Sequence, residues 1–87
     1  MSTIYVIEEN IDYGDANSTS DLLVSDDKSV IEEVLFNIIC DEDFTRNSYK
    51  DKHSYRLIEW NKRVSRVLLS FDISGKEHAL HFIETFS

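Results

Sequence analysis

Residues 25–40, SDDKSVIEEVLFNIIC, carry the strongest structural signal in this chain of 87 residues. The apolar side chains of this segment recur every three or four residues, which is the spacing of one helix face, and they are Val30, Ile31, Val34, Leu35, Ile38 and Ile39. Ser25 is the predicted N-cap, and Ser29-x-x-Glu32 offers an alternative capping box. The pattern therefore predicts an amphipathic helix that stops near the acidic residues 41–43.

The segments before the helix have the composition of β-strands. Residues 3–7, TIYVI, are β-branched and aromatic, and residues 22–24, LLV, form a short second strand that runs into the helix cap. A polar, acidic stretch joins them and turns at residues 13–17. After the helix, residues 41–53 show no period, which predicts a long loop.

Three further strands are predicted after this loop, at residues 54–60, 64–73 and 77–85. Residues 54–73 also fit a helix, through Leu57, Trp60, Val64, Val67, Leu68 and Phe71. Alternation of apolar and polar residues favours strands instead, with one hairpin turn at Asn61-Lys62 and a second at Ser74-Gly75. The last segment also suits a short helix through its apolar residues Ala79, Leu80, Phe82 and Ile83.

These elements predict an α+β fold in which an antiparallel sheet of four to five strands carries one amphipathic helix on one face, in the order β-β-α-β-β-β. Residues 1–87 are expected to form a single compact domain, because a chain of this length has one modest core. The core is predicted to join the helix to the sheet through Val34, Leu35, Ile38, Ile39, Ile4, Val6, Leu69, Phe71 and Phe82. Cys40 and Trp60 are also expected in the core.

Charge is distributed unevenly along the chain. Residues 1–43 hold twelve acids and one base, residues 44–87 hold five acids and eight bases, and the net charge is −8. This balance disfavours direct nucleic-acid binding, which needs a basic surface. The apolar runs are shorter than the ~20 residues of a membrane helix and the N-terminus lacks signal-peptide features, so we expect a cytoplasmic protein.

Motifs for catalysis or metal binding are weak. His78-x-x-His81 would place two imidazoles on one face of a helix, but zinc requires three or four ligands. The acids of the 12–17 loop resemble part of a calcium loop, yet Gly14 stands at the wrong position. We therefore predict a protein that is not an enzyme and needs no cofactor or metal.

The acidic first half favours interaction with a basic protein surface. Aromatic residues beside the polar loops add the composition of binding hot spots. The predicted partner-binding residues are Glu8, Glu9, Asp12, Tyr13, Asp15, Asp26, Asp27, Glu32, Glu33, Asp41, Glu42, Asp43 and Phe44. A homodimer through an uncovered edge strand near Ile83 is a further option.

The order IYVIE (residues 4–8), an acidic loop, LVS (residues 23–25) and IEE (residues 31–33) resembles small phage and mobile-element accessory proteins of the anti-CRISPR kind. Several of those proteins are acidic and occupy the nucleic-acid groove of their target. The resemblance implies an inhibitor that mimics nucleic acid and blocks a basic host protein such as a defence nuclease. Two alternatives stay open: an immunity or antitoxin protein that neutralises a cationic toxin, and a small metal-dependent enzyme that uses His78 and His81.

Overall fold

The computed structural model describes residues 3–40 and 52–86, and these form a four-stranded antiparallel sheet with two α-helices. The elements in chain order are β1 (Thr3–Asp12), β2 (Asn17–Ser25), α1 (Lys28–Cys40), β3 (Lys52–Asn61), β4 (Val64–Phe71), a 3₁₀ turn (Ile73–Gly75) and α2 (Lys76–Phe86). The order across the sheet is β2-β1-β3-β4, so β2 and β4 are the edges. The α+β class and the helix after the second strand are confirmed.

The hydrophobic core lies between one face of the sheet and the helices. On α1 the buried residues are Ile31, Leu35 and Ile39, which are spaced by four and therefore share one side of the helix. The sheet contributes Tyr5, Ile7, Tyr55, Leu57, Leu69 and Phe71 to the same cluster. Because the side chains of a strand alternate between its two faces, these residues define the helix-facing side of the sheet.

The prediction that Ile4 packs against the helix is wrong, and Val6, although buried with 9% exposure, lies outside the cluster that joins the helices to the sheet. Their neighbours Tyr5 and Ile7 lie in the core cluster, whereas Ile4 is on the opposite face and is 39% exposed. Both faces of this strand are apolar, so alternation alone does not select the inner one. The predicted core roles of the β4 residues and of Phe82 are confirmed.

The segment predicted as a last strand is the helix α2, so the sheet has four strands and the fold has a second helix. Its inner side chains recur at helical spacing and join the core cluster; they are Ala79, Phe82, Ile83 and Phe86. Ser74 and Gly75 lie in the 3₁₀ turn and not in a hairpin. Ile83 consequently lies on a helix, which removes the edge strand through which a dimer was predicted.

Two local predictions about α1 are also corrected. Ser25 is the last residue of β2 and is not the N-cap of α1. The N-cap is Asp27, which directly precedes the helix and whose carbonyl accepts the Ile31 amide at 3.2 Å. Cys40 is exposed and not in the core, because it follows the buried Ile39 by one residue, a rotation of about 100° around the helix.

Within the described residues, no helix has the length and apolar character needed to cross a membrane.

The β1-β2 hairpin is longer than predicted from composition. β1 and β2 pair from Tyr5 opposite Ser25 to Asp12 opposite Asn17, although the outer half of this ladder is polar. Backbone hydrogen bonds hold such a polar ribbon together, and composition does not report them. The predicted β3-β4 hairpin is confirmed, with Asn61 opposite Val64. Its turn is at residues 62–63, one residue later than the predicted Asn61-Lys62 turn, and β4 ends at Phe71, two residues before the predicted end.

Candidate functional site

The outer end of the β1-β2 hairpin carries three of the predicted binding residues in one turn. The Tyr13 amide donates to the Ala16 carbonyl at 2.9 Å, and the Gly14 amide donates to Asp12 Oδ1 at 2.8 Å. Gly14 has φ of 97°, a conformation that glycine adopts without steric cost. The turn therefore exposes Tyr13 and Asp15 to solvent, while the Asp12 carboxylate is occupied in holding its shape.

Glu8 and Glu9 lie on opposite faces of β1, and each has a partner on β3. The Arg56 guanidinium donates to Glu8 Oε1, with an Nε–Oε1 distance of 2.9 Å. On the helix-facing side, the Tyr55 hydroxyl donates to Glu9 Oε2 at 2.9 Å, and His53 Nδ1 lies 3.9 Å from the same oxygen. These two carboxylates are thus already paired within the chain.

Asp27 serves as a helix cap. Its Oδ1 accepts the Ser29 hydroxyl at 2.6 Å and the Ser29 amide at 2.9 Å, and Ser25 Oγ in turn accepts the Asp27 amide at 3.1 Å. The hydrogen bond from the Ser29 hydroxyl, supported by the backbone amides of the first turn, lowers the pKa of Asp27 below its ordinary value. Asp27 therefore stays ionised to lower pH than an ordinary aspartate, at the N-terminal end of α1 where the helix dipole favours negative charge.

The remaining predicted acids are Asp26 between β2 and α1, two residues on α1, and three that lie outside the described residues. Glu32 is partly buried, and Glu33 is exposed on the neighbouring position of the helix. Asp41, Glu42, Asp43 and Phe44 fall in the segment between α1 and β3, outside the described residues. The acids therefore occupy the hairpin turn, both faces of β1 and the first half of α1, and they do not lie on one common face.

Four exposed acids near β2 have no ion pair or side-chain hydrogen bond with another residue of the ranges 3–40 and 52–86. These exposed carboxylates are Asp15 before β2, Asp21 within it, Asp26 after it, and Glu33 on α1, which packs beside β2. Residues 13–27 include no lysine or arginine. We call this group the acidic β2 edge; it runs along the roughly 30 Å that nine strand residues span.

The face of the sheet opposite the helices is apolar over part of its area. A row of branched side chains crosses all four strands, because Val24 pairs with Val6, Val6 with Ile58, and Ile58 with Val67. Ile4 and Trp60 pair with each other in the adjacent row. We call these six residues the open face; Val6, in its central row, is itself only 9% exposed.

Trp60 is 41% exposed on this open face, so its predicted place in the core is wrong. The apolar residues on both sides of residues 3–7 were the signal that could have identified the open face from sequence. A strand with one solvated side normally alternates apolar and polar residues.

The histidines are dispersed. His78 and His81 are exposed one helical turn apart on α2, and His81 Nδ1 lies 4.0 Å from Glu84 Oε2. His53 is on β3, beside Glu9. Across the part of the chain that the structure describes, no three histidine, cysteine, aspartate or glutamate residues come together in a way that could hold a metal ion.

Comparison with protein-family models, with curated proteins and with solved structures finds no match to this chain. Its function is therefore inferred from its own geometry: an exposed row of carboxylates along one edge and an apolar sheet face beside it. Both are features of surfaces that bind another macromolecule.

Proposed function

We propose that this protein is a non-enzymatic inhibitor that binds a basic surface of a host protein through the acidic β2 edge and blocks it. The observation that carries the proposal is the row of exposed carboxylates at Asp15, Asp21, Asp26 and Glu33, which have no cationic partner within the described residues. The anti-CRISPR resemblance supplies the proposed class of target, a nucleic-acid-binding protein such as a defence nuclease in the host cytoplasm.

The position of three of these carboxylates along an extended strand supports a role in imitating nucleic acid. A nucleic-acid strand presents phosphates in a line, and Asp15, Asp21 and Asp26 stand before, within and after the extended strand β2. Lysine and arginine side chains that contact phosphates can also pair with carboxylates. Because exposed charges interact over about 8 to 10 Å at physiological salt, such a row would accelerate association and make binding sensitive to salt.

The strand itself adds a second means of recognition. β2 is an edge strand, so one side of its backbone has no neighbour in the described sheet. Edge strands bind extended peptides by adding them to the sheet through main-chain hydrogen bonds. A basic extended segment of the partner would satisfy both the backbone of β2 and the flanking carboxylates.

The test is affinity capture from host lysate on the immobilised protein, with elution by a salt gradient and identification by mass spectrometry. Retention of a basic nucleic-acid-binding protein that is released as salt rises is the expected result. Recovery of a small cationic toxin would instead identify the immunity-protein alternative. If no basic protein is retained even at low salt, the proposal is rejected.

Two double variants distinguish an effect of the acidic β2 edge on capture from an effect of the net charge of the protein. The double substitution Asp26→Lys and Glu33→Lys should abolish capture, because it reverses two charges of the proposed surface. The control is Glu77→Lys with Glu84→Lys on α2, which changes the net charge equally, with the same spacing of seven residues. Equal loss in both variants would show that overall charge, and not the β2 edge, holds the partner.

A further inference from the structure

The open face is more apolar than a solvated sheet face should be. An antiparallel sheet with helices on one side normally turns polar residues to water on the other. Here four open-face residues are more than a third exposed, at 39% for Ile4, 58% for Val24, 41% for Trp60 and 49% for Val67. Contiguous apolar surface of this kind marks an interaction site.

Charge is ordered beside this apolar row. The next row along the strands contains Glu8 on β1 and Arg56 on β3, which pair with each other. Towards the outer end of the hairpin, Asp12 on β1 pairs with Lys52 on β3, on the same face. In both rows β1 provides the acid and β3 provides the base.

We propose that the open face is the interface of a homodimer in which two sheets pack face to face around a twofold axis. The axis lies in the interface, parallel to the strands and between β1 and β3, so that β1 of one copy lies over β3 of its partner. Val6 then faces the partner's Ile58, and Ile4 faces the partner's Trp60. This inference is independent of the proposed function.

Charge complementarity selects this axis. It sets Glu8 against the partner's Arg56 and Arg56 against the partner's Glu8, so four charges alternate in sign around the interface. A twofold axis across the strands at the level of Val6 would instead place Glu8 over the partner's Ile4, burying a carboxylate against an apolar side chain. Sheets packed face to face cross at about 30°, so the match is closest for the central strands β1 and β3.

The size of the open face predicts a dimer of modest affinity. Six apolar residues with the adjacent charged row are fewer than the roughly 20–30 residues that each side of a standard interface provides. We therefore expect dissociation in the micromolar range, as for other small interfaces. The dimer would leave Asp15, Asp26 and Glu33 outside the contact on each copy. Asp21, which pairs with Glu8 on the open face, would lie at the margin of the contact, opposite the partner's Ser70.

Sedimentation velocity over a concentration series of the full chain tests the dimer. The wild type should change from monomer to dimer as concentration rises. Val67→Lys should weaken the dimer at least tenfold, since it places a charge in the apolar row. Val64→Lys is the matched control, because Val64 lies on the same strand and is 69% exposed, but on the other face.

A charge-exchange experiment tests the arrangement of the copies. Glu8→Arg and Arg56→Glu should each be monomeric, because like charges would then oppose each other across the axis. An equimolar mixture of the two variants should recover dimers, since each arginine of the first variant faces a glutamate of the second.

Three results would overturn the proposal: a wild type that stays monomeric up to about 1 mM, a Val64→Lys variant that dissociates as readily as Val67→Lys, or a mixture of the charge variants that does not associate. A monomeric wild type would mean that another part of this chain or a different protein covers the open face. Salt-dependent capture by the acidic β2 edge would be unaffected by that outcome, so failure of the dimer and failure of the proposed function are distinguishable.

Discussion

Asp72 and Ser74 form the same capping arrangement at the start of the last helical segment that Asp27 and Ser29 form at the start of α1. Asp72 Oδ1 accepts the Ser74 hydroxyl at 2.6 Å and the Ser74 amide at 3.0 Å, and the corresponding distances to Asp27 are 2.6 Å and 2.9 Å. Each cap satisfies an amide that the helix itself leaves without a partner. The repeated Asp-x-Ser sequence thus begins both helical segments.

The first prediction concerns the Asp72 cap. Replacing Asp72 by alanine removes the acceptor of two hydrogen bonds and should lower the free energy of unfolding by about 1 kcal/mol, as measured by urea denaturation. Asp72→Asn is the control, because asparagine keeps a side-chain oxygen and caps helices nearly as well. Equal losses in the two variants would mean that the cap is not the source of the effect.

The second prediction concerns stability at acid pH. Hydrogen bonds, chiefly from the Ser74 hydroxyl, lower the pKa of Asp72 below its ordinary value of 3.8, and Asp27 is shifted in the same direction by Ser29. The pKa of each aspartate is lower in the folded state than in the unfolded state, so at a pH between the two values the unfolded state binds more protons. The stabilisation is therefore complete above the pKa of the unfolded state and is lost as pH falls through the pKa of the folded state. We expect unfolding free energies measured from pH 6 to pH 2 to fall most steeply below about pH 4.

The Asp72→Asn variant provides the comparison for this pH dependence. It cannot titrate at that position, so its stability should decrease less between pH 5 and pH 2 than that of the wild type. If the free energy of unfolding of Asp72→Asn falls between pH 5 and pH 2 by as much as that of the wild type, Asp72 makes no net contribution to the pH dependence.

The third prediction concerns the core. Leu35 is fully buried between α1 and the sheet, and Leu35→Ala should lower the free energy of unfolding by about 2–5 kcal/mol through lost burial and the cavity that remains. Phe36 follows it on the helix and is 51% exposed, so Phe36→Ala should change stability by less than about 1 kcal/mol. A larger loss of stability in Phe36→Ala would mean that the Phe36 side chain is buried, in contradiction to the structure.

The fourth prediction concerns the β3-β4 turn. Lys62 has φ of 59°, a backbone conformation that disfavours residues with a Cβ atom. Lys62→Gly should therefore raise the free energy of unfolding by about 0.5–1 kcal/mol. Arg63→Gly is the control: Arg63 has no positive φ, so glycine there should lower stability by a similar amount through the greater entropy of the unfolded chain.

Local sequence patterns predicted α1 and the β3-β4 hairpin because each has an unambiguous period. They failed at α2, where four apolar residues suit either a helix or a strand. The Asp72-x-Ser74 sequence was the signal that could have distinguished the two, because the same spacing at Asp27-x-Ser29 precedes the helix that was predicted. In this chain a helix start is therefore recognised by an aspartate followed two residues later by a serine, and not by a single serine such as Ser25.

The acidic residues illustrate a different limit. Their number and their concentration in the first half of the chain are properties of the sequence. Which of them are available to a partner depends on strand pairing, because Arg56 neutralises Glu8 from 48 residues away while Asp21, on the same face, has no such partner within the described residues. A pattern read over a few neighbouring residues cannot predict a pairing between residues 48 positions apart.

By itself the sequence determined the α+β class, the helical face of α1, the hairpin at residues 61–64 and the acidic first half, because each depends on residues close together in the chain. Only the tertiary structure decided that Tyr5 and Ile7 face the helices while Ile4 and Val6 lie on the opposite face of the sheet. Both sides of β1 are apolar, and the choice depends on which side the helices cover. The same choice leaves Trp60 on the open face, since a residue paired across the sheet with Ile4 must lie on the same side.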